Sequence, residues 1–247
     1  MVRGVAGGGV YYLVLDRADR LNSLDSPTLE EATRLVGEAC LGDYGAVAVT
    51  GEGRFFSAGM DLGEIASAGD PGEVRALFER FTRFLEALVS CRSGSGYWKP
   101  VVTILNGPAV AGGAEIALAT DAVVAVGEGY LQWPELRWGL VPPMLAGLAG
   151  RLGLARIVWA GLAMERIGFE EAYRIGLVSG LAGSMDEAKS MVESVAKSAM
   201  VNPEAVHALL DPVRRVKAEW VHGASRLVDL AGRRELIEAA RRFLGKG

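Results

Sequence analysis

Two glycine-rich runs, each directly after a run of apolar residues, most constrain what this chain can fold into. Residues 51–62 follow the apolar residues 46–49, and residues 106–115 follow the apolar residues 101–105. Runs of this composition are typical of buried strands. Glycine lets the backbone turn sharply and approach a neighbour closely, and the start of a helix carries N–H groups without an intrahelical partner. The pattern therefore predicts two strand–turn–helix units whose turns carry free amides.

The remaining pattern alternates between strand and helix and then becomes helical. Further strands are predicted at residues 10–15 and 122–126, and helices are predicted to begin near Ser26, Asp70 and Gly112. After residue 151 strand signals fade, and the Ser184–Glu187 capping box and Asn202-Pro203 mark two more helix starts. Residues 1–9 and 245–247 are expected to fray. An α/β chain is expected, with a core of residues 1–190 and a helical region of residues 191–247 forming one structural unit.

Composition excludes several classes of protein. Half of the 247 residues are hydrophobic and the net charge is −4, which argues against a nucleic-acid partner. The longest apolar stretch, residues 140–150, is interrupted by two prolines and is too short to span a bilayer. No signal peptide is visible.

Cysteine usage and the basic clusters are given ordinary structural interpretations. Cys40 and Cys91 form no CxxC motif and no zinc-ligand spacing, so a cytoplasmic chain with reduced cysteines and no metal is expected. Basic side chains cluster in the helical tail and are expected to lie on solvated helix faces. They are Arg214, Arg215, Lys217, Arg233, Arg234, Arg241, Arg242 and Lys246.

The two turns and two acidic residues point to proton chemistry beside a carbonyl group. Facing turns can place two amides around an oxygen that becomes negative during a reaction. Glu115 ends the second turn and Glu135 follows Pro134 among apolar and aromatic residues, where a carboxyl tends toward a raised pKa. Taken alone, each glutamate is more often structural, and Glu115 would be favourable in a first helical turn through the helix dipole.

Other glycine-rich and nucleophilic sites fit the residues less well. A dinucleotide fingerprint needs a glycine where Phe56 stands, and no GxxxxGK[ST] phosphate loop occurs. Ser57 lacks a triad partner, since the histidines, His207 and His222, both lie in the helical tail and no serine lies in a GxSxG motif.

Five short motifs occur in order over nearly the whole chain. They are residues 21–24 (LNSL), 56–62 (FSAGMDL), 99–115 (KPVVTILNGPAVAGGAE), 134–142 (PELRWGLVP) and 169–178 (FEEAYRIGLV). In letters and spacing they resemble the enoyl-CoA hydratase/isomerase family, also called the crotonase family. The chain departs from that pattern after residue 142, where an apolar run replaces the glycine-rich segment with a Thr-Gln pair that is usual in hydratases.

The resemblance implies a spiral of stacked ββα units with a helical C-terminal region that trimerises, giving a homotrimer or a dimer of trimers. It implies an acyl-CoA thioester substrate, with coenzyme A as part of the substrate and no separate cofactor. By motif position, the oxyanion hole falls on the amides of Met60 and Gly112, and the catalytic acids fall on Glu115 and Glu135. Contacts to coenzyme A fall on Ser57, Ala58, Gly59 and Asp61.

Three functions are compatible with these residues. The favoured one is hydration of a 2-enoyl-CoA by both glutamates. The first alternative is a Δ3,Δ2-enoyl-CoA isomerase in which Glu135 alone moves a proton between C2 and C4. The second alternative is a non-catalytic acyl-CoA-binding protein that keeps the fold.

Overall fold

A sheet formed by the apolar runs lies at the centre of the fold. The computed structural model describes residues 1–152 and 155–245. The strands are β1 (Val2–Gly7), β2 (Val10–Leu15), β3 (Ala46–Gly51), β4 (Val101–Leu105), β5 (Ala109–Val110), β6 (Ala122–Val126), β7 (Tyr130–Gln132), β8 (Arg166–Gly168) and β9 (Gly180–Ala182). Within these residues six strands make the main sheet, in the order β1-β2-β3-β4-β6-β9, and only the β1–β2 pair is antiparallel. Strands predicted from the four apolar runs are confirmed.

Helices cover the sheet and form the C-terminal part of the chain. They are α1 (Ser26–Leu41), α2 (Leu62–Ser67), α3 (Pro71–Val89), α4 (Gly112–Ala119), α5 (Pro143–Leu152), α6 (Ala155–Ala163), α7 (Phe169–Arg174), α8 (Met185–Val201), α9 (Pro203–His222), α10 (Ser225–Ala231) and α11 (Arg234–Phe243). The predicted α/β class is therefore confirmed. Among the described helices, none has the length and apolar character needed to cross a bilayer.

Caps predicted from the sequence explain where several helices begin. The Asp70 side chain accepts a hydrogen bond from the Gly72 amide at the start of α3. The Ser184 hydroxyl accepts from the Glu187 amide at the start of α8. The apolar stripe of α3 is buried as its spacing predicts, and its three phenylalanines, Phe78, Phe81 and Phe84, are each at most 2% exposed.

A small second sheet holds the turn that precedes α4. Its order is β5-β7-β8, and β5 runs parallel to β7. The Ala111 amide donates to the Gln132 carbonyl at 2.9 Å, so the end of β7 fixes the residue that leads into α4. The segment that carries Glu135 leaves the same strand three residues later.

Several local predictions are wrong. Residues 2–7 form β1 rather than fraying, because Gly8 and Gly9 adopt positive φ values of 60° and 78° and close a tight hairpin onto β2. One helix that the sequence analysis did not predict, α2, follows Asp61, and its first amides are capped by the Asp61 carboxylate. Short strands β8 and β9 lie beyond residue 151, where β-branched runs are absent from the sequence.

The expectation of reduced cysteines is also wrong for this structure. Cys40 at the end of α1 and Cys91 after α3 form a disulfide with Cα atoms 5.3 Å apart. Both residues are buried. They are 51 residues apart in sequence, so only the packing of α1 against α3 brings them together.

Part of the tail's basic clusters is buried rather than solvated. Arg214 on α9 is 1% exposed and forms an ion pair with Asp121. It also donates to the carbonyls of Leu88 and Val89, each at 2.6 Å, and thereby joins α9 to the end of α3. On α11, the Arg241 guanidinium donates to carbonyls at the end of α2. Lys246 lies outside the described residues.

Candidate active site

The two glycine-rich turns lie directly against each other. Ser57 pairs with Ala109 in a parallel bridge, and the Val110 amide donates to the Ser57 carbonyl at 2.9 Å. Gly59 has a φ of +87°, and a Cβ built on it would lie 2.9 Å from the Val110 carbonyl oxygen and 3.1 Å from the Gly112 nitrogen. Only glycine fits here, because any side chain would enter the space between the turns.

Both candidate oxyanion-hole amides lack a partner. Leu24 donates to the Gly59 carbonyl and accepts from the Asp61 amide, and in such a parallel bridge the amide of the intervening Met60 faces the other way. Gly112 is the first residue of α4, where no intrahelical acceptor exists. Within residues 1–152 and 155–245, no acceptor pairs with either amide. The adjoining turns thus present two free donors.

Ala111 holds an unusual backbone conformation beside these donors. Its φ is 50° and its ψ is −124°, a region that residues with a Cβ rarely adopt. Such conformations persist only where the surroundings enforce them, and they are frequent at ligand-binding sites. The hydrogen bond from Ala111 to Gln132 is one of the contacts that hold the turn in place.

Glu115 lies one turn along α4 from Gly112 and is 1% exposed. Its carboxylate accepts hydrogen bonds from the Trp133 indole N–H at 3.0 Å, the Met144 amide at 2.6 Å and the Leu145 amide at 3.2 Å. The last two amides lie in the first turn of α5, which begins at Pro143. The residue before it is Pro142, whose side chain has no acceptor to cap the helix. Glu115 supplies that cap from another helix.

Glu135 is the first residue of a short 3-10 helix, Glu135–Trp138, and is 6% exposed. Its backbone carbonyl accepts from the Leu140 amide at 3.0 Å, which fixes the turn around it. Its side-chain Oε2 atom is buried and has no hydrogen-bond partner among the described residues. A buried, unpaired carboxyl oxygen is costly when charged, so this group favours its protonated form.

Burial shifts both acids in the same direction but to different extents. It raises the pKa of Glu115 to about 7, while the amides of Met144 and Leu145 and the Trp133 indole oppose the rise by stabilising the charged form. It raises the pKa of Glu135 well above its ordinary value, and the charge on Glu115 adds to this effect. Two neighbouring carboxyls with separated pKa values suit one base and one acid.

This pair should make the protein less stable as pH rises. Below about pH 4.5 both acids are protonated in the folded and unfolded chains, and above it the unfolded chain releases protons that the folded chain retains. Stability is therefore lost progressively from about pH 4.5 toward and beyond pH 7. We expect the melting temperature of the wild type to fall relative to that of Glu135→Gln between pH 5 and pH 8. Parallel curves for the two proteins would contradict a raised pKa at Glu135.

The segment assigned to coenzyme A contacts is ordered by its own side chains. The Ser57 hydroxyl donates to the Asn22 carbonyl at 2.8 Å and accepts from the Gly59 amide at 3.1 Å. Asp61 accepts from the Ser23 hydroxyl at 2.9 Å and from the Arg17 guanidinium at 3.1 Å. Ser57 and Asp61 therefore hold the loop in shape, and the Ala58 amide and both backbone groups of Gly59 are paired within the protein, with Leu21, Ser57 and Leu24.

Cavities elsewhere in the molecule do not coincide with this site. One of about 480 Å³ lies beside α9, near Lys217 and Trp220, and another of about 360 Å³ lies near Tyr44 and Trp98. Neither is lined by Glu115 or the two turns. The described residues contain no group of three or more histidine, cysteine, aspartate or glutamate side chains able to hold a metal ion. The candidate site is therefore identified by its residue types and their burial, and not by either of these cavities.

Sequence reasoning missed three donors of this site. It assigned no role to Trp133, and it did not place the start of α5 against Glu115. The sequence held one signal for the indole. A buried tryptophan requires an acceptor for its N–H, and the position of Trp133 two residues before Glu135 places it near the predicted acids. No local signal marks the contact between Glu115 and the start of α5, which joins residues 29 and 30 positions apart.

Comparison with known proteins gives a consistent result. The sequence profile of the enoyl-CoA hydratase/isomerase family matches residues 6–229. A probable enoyl-CoA hydratase of Bacillus subtilis is 33% identical over 217 residues, which cover 83% of this chain and 79% of that protein. A putative enoyl-CoA hydratase of Thermus thermophilus is 33% identical over 204 residues, 79% of this chain and 78% of that protein. The crystal structure of an enoyl-CoA hydratase/isomerase from Mycobacterium paratuberculosis superimposes with a TM-score of 0.81 at 22% identity, covering 98% of this chain and 97% of that one.

Proposed function

The chain belongs to the enoyl-CoA hydratase/isomerase family, and from that premise we propose that it adds water to a 2-enoyl-CoA thioester. The observation that carries this proposal is the buried pair of glutamates beside two free amides. Glu115 receives three hydrogen bonds that favour its charged form, whereas Glu135 has an unpaired oxygen that favours its protonated form. Hydration needs one group of each kind.

In the proposed reaction the thioester oxygen is bound by the amides of Met60 and Gly112. Attack at C3 moves negative charge onto that oxygen, where fixed N–H donors stabilise it, and loss of one such donor typically costs ~10²–10³ in rate. Glu115 takes a proton from water as the oxygen of water bonds to C3. Glu135 gives its proton to C2, so the proton count is balanced and coenzyme A remains attached throughout.

The Glu115 carboxylate keeps one acceptor site for a water molecule beside its existing hydrogen bonds. An ionised carboxylate offers about four lone-pair sites, and three are occupied by Trp133, Met144 and Leu145. The remaining site is on Oε2, which accepts one bond, whereas Oε1 accepts two. We infer that the attacking water binds at Oε2.

One observation favours isomerisation as a second candidate function. Glu115 is already engaged by three donors, so Glu135 is the acid with a free oxygen. One carboxylate is sufficient to remove a proton from C2 of a 3-enoyl-CoA and return it to C4, so this reaction would use the ionised form of Glu135, with Glu115 protonated. Both reactions would use the same two amides.

Glu115→Gln separates the two reactions. We expect hydration of 2-enoyl-CoA substrates to fall by about 10²-fold, at the lower end of the range for an acid–base group, because an amide can still orient water but cannot deprotonate it. Hydration is followed by loss of the ultraviolet absorbance of the conjugated thioester, and isomerisation by its gain.

Three outcomes are informative. Full hydration by Glu115→Gln would remove the proposed role of Glu115. Isomerisation without hydration in the wild type would favour the second candidate function. Binding of acyl-CoA thioesters of several chain lengths without consumption in either assay would identify a binding protein.

A homotrimer or a dimer of trimers forms part of the proposal. Large apolar side chains remain exposed on several helices of the single chain. Among the most exposed are Leu209 at 72%, Leu162 at 64% and Trp159 at 59%. Exposed apolar surface of this kind is typical of subunit interfaces, and sedimentation of the purified protein would measure the state directly.

A further inference from the structure

Trp133 lies at the centre of the candidate site and is the largest fully buried side chain there. It directly follows β7 and lies two residues before Glu135, and its indole N–H donates to Glu115 Oε1 at 3.0 Å. An indole can only donate a hydrogen bond. It therefore stabilises a partner that accepts. It favours the charged carboxylate over a protonated acid whose O–H points toward the indole.

Glu115 receives three donors from other residues, whereas the one hydrogen bond that lowers the pKa of Glu135 comes from its own backbone amide. Trp133 and the two α5 amides all face the Glu115 carboxylate, whereas Glu135 Oε2 is buried among the described residues with no partner. The two acids share one buried site, and two charges are not accommodated there together. The donors thus decide which of the two carries the negative charge.

We propose that Trp133 is a positioning residue that holds Glu115 in its ionised form and one orientation, and so assigns the role of base to Glu115 and that of acid to Glu135. The backbone amides of α5 hold Oε2 and part of Oε1. The indole is the only side-chain donor to Glu115 among the described residues. It can be removed by substitution without altering the helix start. This inference rests on the proposed function for its catalytic consequence, but not for the ionisation state itself.

The first test observes the indole directly and needs no substrate. The chain has five tryptophans, so a ¹⁵N-labelled sample gives up to five indole N–H resonances, and the one absent from Trp133→Phe belongs to Trp133. We expect that resonance to shift with pH around a midpoint of about 7, the pKa of Glu115. The shift should disappear in Glu115→Gln. A Trp133 resonance that does not move between pH 5 and pH 9 would overturn the proposal.

The second test measures the pH dependence of turnover in Trp133→Phe. Loss of one hydrogen bond to a charged group raises the pKa of Glu115, so the rising limb of kcat/KM should move from about pH 7 to about pH 8. At pH 7 this lowers the ionised fraction of Glu115, and with it kcat, by about fivefold with little change in KM. A purely structural role would lower the melting temperature but leave the midpoint where it is, and that result would also overturn the proposal.

Trp138→Phe is the matched control. Trp138 lies three residues after Glu135, and its ring packs edge-on against Phe243 with centroids 5.4 Å apart. The same substitution there removes an indole without removing a donor to Glu115. We expect an unchanged pH midpoint in this variant.

The two tests separate failure of the inference from failure of the proposed function. A titrating Trp133 indole in a protein without hydratase activity would support the inference and contradict the function. Hydratase activity in a protein whose Trp133 resonance does not shift with pH would support the proposed function and contradict the inference.

Discussion

Glu135→Gln should abolish nearly all turnover, whether the chain catalyses hydration or isomerisation. Glu135 is the buried acid with an unpaired Oε2, and in both reactions it is the group that exchanges a proton with C2 of the acyl chain. Gln has nearly the same shape but can neither donate this proton nor accept it. We expect kcat/KM to fall by about 10²–10⁴-fold, the full range for a positioned acid–base group, as measured by the absorbance of the conjugated thioester.

The substitution should not damage the fold. Burial raises the pKa of Glu135 well above its ordinary value and so favours its neutral form, and a neutral amide replaces it without burying a new charge. The melting temperature at pH 8 should therefore be equal to or higher than that of the wild type. Affinity for a saturated acyl-CoA should also be kept, because the two amides remain.

A neighbouring exposed residue provides a control for Glu135→Gln. Leu136 follows Glu135 in the same 3-10 helix and is 45% exposed, so Leu136→Ala changes the same turn without touching either acid. Its activity should stay close to that of the wild type. If Glu135→Gln retained wild-type turnover in both assays, Glu135 would not be the acid and the proposed mechanism would fail.

Much of the fold was predictable because its signals are local. The apolar runs at 10–15, 101–105 and 122–126 became strands with those same bounds, since β-branched residues at that density favour buried parallel strands. The Asp70 and Ser184 caps were equally visible. In contrast, α2 is only six residues long, and its one signal is the Asp61-Leu62-Gly63-Glu64 capping pattern at its start.

The candidate site, like the fold, was only partly predictable from the sequence. Its glycines and acids could be identified in the sequence. A turn that admits no Cβ requires glycine, and a glutamate within an apolar segment stands out from its neighbours. The α5 partners of Glu115 could not be identified, because they are backbone amides and the sequence does not show which acceptor a backbone amide will meet. Arg214 shows the same limitation, because its cluster looks solvated until Asp121 and the end of α3 are brought beside it.

Removing the disulfide should have the largest effect on stability. Cys40 and Cys91 close a loop with a sequence separation of 51 residues, and cross-linking a loop of that length stabilises the folded state by about 4 kcal/mol in the chain-entropy description. We expect a clear fall in the urea midpoint for the Cys40→Ala/Cys91→Ala variant. The same fall should appear when the wild type is unfolded in a strong reductant.

The reduced protein should keep its fold and its activity under mild conditions. The end of α1 is also held by the Lys99 ammonium group, which donates to the carbonyls of Ala39 at 3.0 Å and Gly42 at 2.6 Å. Neither cysteine contacts Glu115, Glu135 or the two turns through any described hydrogen bond. Reductant should therefore change the unfolding transition but leave kcat/KM at 25 °C unchanged.

The double alanine variant separates loss of the cross-link from other effects of reductant, because its own midpoint should not respond to reductant. Alkylation followed by mass spectrometry measures the cross-link itself, since a disulfide protects both cysteines until the chain is reduced. Two alkylated cysteines in unfolded but unreduced protein would contradict the pairing. Both cysteines are buried, so we expect reduction of the native protein to be slow and to follow local opening at the end of α1. The rate of thiol release should therefore rise with urea well below the unfolding midpoint.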